Sequence, residues 1–122
     1  MAMEAELIKT FRFEAAHALP NVPAGHKCAR YHGHNYRVDV HVAGPVDPDK
    51  GWVMDFGDIQ RAMQPILDQL DHRMLSEIPG LENATSEVLS KYIWDRLAPG
   101  LEGLTAVTIW ESDTSRCVYR GR

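Results

Sequence analysis

The chain has 122 residues, a length that fits one domain over 1–122. With 44% hydrophobic and 25% charged residues it reads as an ordinary globular sequence, not a disordered or fibrous one. A net charge of −4 leaves no basic footprint for nucleic acid or an anionic membrane, and no apolar run approaches the roughly 20 residues of a membrane helix.

The start, Met-Ala-Met-Glu-Ala-Glu, lacks the basic and apolar segments of a signal peptide. Two cysteines, Cys28 and Cys117, are too few for a disulfide framework. Both features lead to the expectation of a cytoplasmic protein with reduced thiols.

Residues 5–17 read as a strand with Phe11, Phe13, Ala15 and His17 on one face. Residues 18–31 hold Pro20, Pro23 and Gly25 and form a loop, long enough to suggest a functional one. A second strand spans 34–43, with Tyr36, Val38, Val40 and Val42 on one face and Asn35, Arg37, Asp39 and His41 on the other. An amphipathic helix follows over 55–70, with Asp55 or Asp58 as its cap and Pro65 as an interior residue that should kink it. A connection over 71–83 carries Asp71-His72. A second helix begins at Thr85, an N-cap, and ends before Pro99-Gly100; short strands follow near 104–111 and 116–120. The order ββααββ predicts an α+β fold, with two helices on one face of a four-stranded antiparallel sheet. Such a sheet has two edges, and an unprotected edge invites pairing, so we expect sheets joined edge to edge in an oligomer.

Three histidines carry the chemistry. His32 and His34 are two apart and share a face of an extended strand; His17 is in phase with the apolar side of the first strand. A single such histidine is usually a packed core residue. Three, converging from two strands, suit a zinc ion held by three protein ligands with the fourth position open to substrate.

Other groups are open to two readings. Cys28 is separated from His32 by three residues, near enough to serve as a base or nucleophile, or simply to pack. Asp71-His72 supplies a carboxylate and an imidazole, although sequence neighbours do not easily bond each other. Glu111, in phase with Thr105, Val107 and Ile109, could receive adjacent N–H donors of a flat ligand. Lys27, Arg30 and Arg120 are the cations available to a phosphorylated substrate, or are solvated charges. His41 is out of phase with the metal face, and His26 suits an outer position.

Phe-Glu-Ala-Ala-His, Cys-x-x-x-His-Gly-His-Asn, Leu-Asp-His, Thr-Ser-Glu and Trp-Glu-Ser occur in this order along nearly the whole chain. Together they resemble the 6-pyruvoyl-tetrahydropterin synthase superfamily. The close spacing of Cys28 to His-Gly-His is similar to that of the branch forming 6-carboxytetrahydropterin in the queuosine pathway. A third branch, with glutamate in place of the cysteine, is disfavoured by Cys28.

The resemblance implies the tunnelling fold (T-fold), with trimers closing a β-barrel and two trimers stacking into a homohexamer. It places one zinc ion per subunit on His17, His32 and His34. It makes Cys28, Asp71 and His72 catalytic, and Glu111, Thr85 and Ser86 pterin-binding; Lys27 is taken as a further substrate-binding residue, for the phosphorylated side chain. Sites in this superfamily lie between subunits. The implied reaction converts 7,8-dihydroneopterin triphosphate to 6-carboxy-5,6,7,8-tetrahydropterin, acetaldehyde and triphosphate. The alternatives are a 6-pyruvoyl-tetrahydropterin synthase, which stops before carbon–carbon cleavage, a cupin-like metal oxygenase, and a non-catalytic binder on the same fold. A cupin usually adds a carboxylate shortly after its His-x-His pair; here Asn35, Tyr36, Arg37 and Val38 follow.

Overall fold

A computed structural model describes residues 3–122; Met1 and Ala2, part of the expected domain and N-terminal segment, lie outside the described residues. Strand β1 spans Glu4–His17 and alternates as its sequence does: Phe11, Phe13, Ala15 and His17 are buried, whereas Arg12 and Glu14 are exposed. Strand β2, His32–Pro45, pairs antiparallel with β1 and places Phe11 opposite Val38, Phe13 opposite Tyr36 and His17 opposite His32. It starts two residues earlier than the sequence suggested, so His32 and His34 both belong to the strand.

Helix α1, Phe56–Leu70, is capped by the Asp55 carboxylate, which accepts from the Gly57 N–H at 2.8 Å. The helix is continuous through Pro65. That residue is exposed, on the side of the helix away from the core. Helix α2, Ser86–Leu97, is capped by Thr85, whose hydroxyl accepts from the Val88 N–H at 3.1 Å. Strands β4, Leu104–Ser112, and β5, Ser115–Tyr119, complete the chain.

The sheet differs from the expected four antiparallel strands. A fifth strand, β3, Arg73–Met74, pairs in parallel with Ala15 and Ala16 of β1, and the order is β3-β1-β2-β4-β5. Two residues are too few to show a strand's alternation, and only the packed neighbour creates this pairing. Apart from that contact, the outer edge of β1 has no strand beside it among the described residues.

Ile59, Met63, Ile66 and Leu70 of α1 and Leu89, Ile93 and Leu97 of α2 are buried against Phe11, Phe13, Tyr36, Val38, Val107 and Ile109. All six sheet residues are on one face, so the helices cover that side alone. Each such side chain contributes roughly 1.5–3 kcal/mol through burial, enough to hold β1 and β2 in one register. No helix among the described residues is long and apolar enough to cross a membrane.

Candidate metal centre and active site

The register of β1 and β2 creates the centre. His17 faces His32 across the ladder and His34 follows two residues on, so three imidazoles project from adjoining positions on one face. The rings stand edge to face, with centroids 4.5, 5.0 and 4.9 Å apart and interplanar angles of 65°, 86° and 84°. One nitrogen from each lies within 4.8 Å of those of the other two. No other metal-competent cluster occurs among the described residues.

Backbone carbonyls select the tautomers. His17 Nδ1 lies 2.7 Å from the Ala84 carbonyl, and His32 Nδ1 lies 2.7 Å from the Arg30 carbonyl. A carbonyl only accepts, so both Nδ1 atoms carry hydrogen and both neutral rings present bare Nε2 lone pairs. Those Nε2 atoms are 2.9 Å apart. His34 Nε2 is buried with no hydrogen-bond partner. Two inward lone pairs and the partnerless His34 Nε2, converging within 4.8 Å, suit a divalent cation of the zinc type. The residues fit the metal that the motifs imply.

Charge and burial agree with this arrangement. Burial pushes the His34 imidazole below the usual histidine pKa; the Glu111 carboxylate opposes that, while the His17 and His32 rings add to it. The neutral, ligating form is thereby favoured. Glu111 Oε1 lies 3.5 Å from both His17 Nε2 and His34 Nε2. Sequence phase had put Glu111 on this face, and the structure adds that it borders the three histidines. The β4–β5 register shifts between Trp110 and Ser112, a bulge that re-aims the intervening Glu111. Tyr36 lies beneath, its hydroxyl 3.3 Å from His17 Nδ1; burial, with Glu111 second, pushes its pKa up and keeps it protonated.

Cys28 occupies a 3-10 turn over Lys27–Ala29 and is half-buried. Its N–H donates to His26 Nδ1 at 3.0 Å, and its carbonyl accepts from the Leu19 N–H at 2.7 Å. His26 therefore positions the cysteine turn. The thiol itself is not among the converging metal-competent atoms, and Lys27 beside it is exposed.

Asp71 and His72 stand at ion-pair distance although they are sequence neighbours: Asp71 Oδ1 lies 2.9 Å from His72 Nδ1. His72 has a φ of 58°, and this left-handed backbone turns its ring back onto the preceding carboxylate. The Glu14 N–H holds the Asp71 carboxyl below its usual range; desolvation opposes and His72 adds to the effect. These groups are not part of the three-histidine cluster, and His34 and His72 line one open cleft of about 410 Å³.

Thr85 and Ser86 begin α2, directly after the Ala84 carbonyl that orients His17. Thr85 spends its hydroxyl on the cap, whereas Ser86 Oγ is buried without a partner. His41 lies on the opposite sheet face, between Glu6 at 3.2 Å and Thr108 at 2.9 Å, and is no ligand. Cys117 touches only Ser90 Oγ, at 3.8 Å, among polar groups. Sequence reasoning missed the Ala84 and Arg30 carbonyls, for which no side-chain signal exists. It also missed Glu14, although that residue stands inside the Phe-Glu-Ala-Ala-His motif.

A sequence model of the 6-pyruvoyl tetrahydropterin synthase family matches residues 6–122. The chain belongs to this family. Among curated members, a 6-carboxy-5,6,7,8-tetrahydropterin synthase of Synechocystis is 38% identical over 119 residues, covering 93% of this chain and 91% of that protein. The human 6-pyruvoyl tetrahydrobiopterin synthase is 34% identical over 134 residues, covering 97% and 92%. The solved 6-pyruvoyl tetrahydropterin synthase of Caenorhabditis elegans superposes with a TM-score of 0.88 at 29% identity, covering 98% of this chain and 97% of the other. The fold is that of the family, the α+β T-fold, and the chain is an enzyme of the tetrahydropterin synthase family.

Proposed function

We propose that this protein, a single T-fold domain, converts 7,8-dihydroneopterin triphosphate to 6-carboxy-5,6,7,8-tetrahydropterin, acetaldehyde and triphosphate, as a carbon–carbon lyase of queuosine biosynthesis. The observation that carries this is the three-histidine centre bordered by Glu111, a metal-competent site beside a carboxylate free to bind a flat, N–H-rich ring.

His17, His32 and His34 would hold one zinc ion per subunit. When bound, zinc supplies Lewis acidity toward hydroxyl oxygens of the substrate side chain. The chain's own residues do the rest. Glu111 accepts two parallel N–H bonds from the pterin ring and sets its orientation. Thr85 and Ser86 would line that position, with the unpartnered Ser86 hydroxyl available to bond the ring. Cys28 takes protons from the side chain as thiolate. His72, held at Nδ1 by Asp71, exchanges protons through Nε2. Lys27, exposed and adjacent to Cys28 in sequence, would bind the triphosphate.

Because Cys28 and His72 stand outside the three-histidine cluster of their own chain, we place each site between subunits. The unpaired edges of β1 and β5 support closure of sheets into a trimer and stacking of two trimers into a homohexamer. Free cysteines and the lack of a membrane-crossing helix among the described residues support the cytoplasm as its location.

A second reading, a 6-pyruvoyl-forming synthase, is favoured by the human and nematode relatives so named. The three-residue spacing of Cys28 from His32 supports the carboxy-forming reading instead. Product analysis decides. Zinc-loaded protein with 7,8-dihydroneopterin triphosphate should yield a 6-carboxy pterin by mass spectrometry and matching acetaldehyde. A 6-pyruvoyl pterin without acetaldehyde would select the second reading; unchanged substrate would reject both.

A further inference from the structure

Glu14 directs three groups at one dipeptide. Its N–H donates to Asp71 Oδ1 at 3.0 Å, and its carbonyl accepts from the His72 N–H at 2.6 Å. Its carboxylate Oε2 lies 3.3 Å from His72 Nε2. The parallel pairing of Ala15 with Arg73 continues the same attachment. The two backbone bonds explain how an exposed histidine keeps a left-handed φ, a conformation few side chains adopt without compensation.

The backbone bonds fix where the dipeptide is, but not where its ring points. His72 is 73% exposed at its side chain, and a ring held only at Nδ1 by Asp71 still swings about that contact. The Glu14 carboxylate removes this freedom. Asp71 stands at Nδ1 and Glu14 at Nε2, so the two carboxylates bracket the ring, and Nε2 is the nitrogen Glu14 can orient. Both residues line the cleft that reaches His34.

We propose that Glu14 is a positioning residue, which acts through its carboxylate to aim His72 Nε2 along this cleft. The assignment rests on the reading that His72 moves a proton; the contact itself does not.

Two variants separate the side chain from the backbone attachment. Glu14→Ala keeps both backbone bonds and loses the carboxylate; Glu14→Gln restores an acceptor oxygen. A two-bond 1H–15N spectrum of zinc-loaded, substrate-free protein reads the ring independently of turnover. Glu14→Ala should move the His72 Nε2 signal and leave Nδ1 in place, and Glu14→Gln should return Nε2 toward the parent position. An Nε2 signal unmoved in Glu14→Ala would overturn the proposal.

In turnover, Glu14→Ala should lower kcat about tenfold with KM within about twofold, part of the roughly 10²–10⁴ that a positioned acid or base supplies, and Glu14→Gln should recover most of it. A Glu14→Ala enzyme with parent kcat would overturn the positioning role. If the parent itself turns over no pterin, the proposed function falls, while the ring contact is still decided by the spectrum.

Discussion

His17 and His32 face each other across the β1–β2 ladder with their Nε2 atoms 2.9 Å apart, each ring turned by a backbone carbonyl behind it. The pair is thus arranged to hold a cation, and the buried, unpartnered His34 Nε2 completes the set.

Zinc should therefore stabilise the folded chain. Saturation at 100 times the dissociation constant adds about 2.7 kcal/mol by mass action, read as a rise in Tm, and a chelator should reverse it. His17→Ala should abolish the rise, whereas His41→Ala, on the other sheet face, should keep it. Equal rises in both variants would rule out the centre.

The same centre sets a pH dependence. Burial holds the folded His34 pKa below the unfolded value of 6.5. The unfolded chain therefore takes up this proton first. The sign is that metal-free stability from His34 is complete above pH 6.5 and declines as pH falls through the lowered folded value. Zinc affinity should fall in the same direction, since protons compete for the ring nitrogens. A zinc-dependent Tm rise that grows between about pH 7 and 5 would contradict this.

Cys28 lies on a turn held by His26 and Leu19, not on the ligand set. Cys28→Ala should keep its zinc, measured by metal analysis, and lose at least about 10²-fold in kcat, the lower range for a lost acid–base group. Full zinc with the parent rate would remove the thiolate from the mechanism.

Asp39 is buried on the face away from the helices and receives Thr10 Oγ1 at 2.7 Å, Trp110 Nε1 at 2.9 Å and two bonds from Arg37. Burial alone would raise its pKa; the hydrogen bonds from Arg37, Thr10 and Trp110 together outweigh it and hold the carboxyl below its usual value. Asp39→Ala leaves the Trp110 and Thr10 donors unpaired and should cost about 2 kcal/mol or more in denaturant unfolding. Because the folded pKa is depressed, this stabilisation is present above about pH 4 and lost below it. The gap between parent and Asp39→Asn should shrink on acidification, and a constant gap would show that the charge is not responsible.

Much of this was legible in the chain. Period-two alternation located β1 and β2 and put His17, His32 and His34 on the buried side, and cap residues (Asp55 or Asp58, and Thr85) marked the helix starts, because these signals are local in the chain. The motif order identified the family by itself. Three things came only with the tertiary structure. The register that sets His17 against His32 is a property of two strands packed on one core. The short strand Arg73–Met74 exists only because β1 lies beside it. The Asp71–His72–Glu14 cluster depends on one left-handed backbone angle, held by hydrogen bonds to a residue 57 positions earlier in sequence. Side-chain chemistry and local periodicity are written in residue order; backbone carbonyl partners and ring orientations arise when distant segments meet, and no local pattern encodes them.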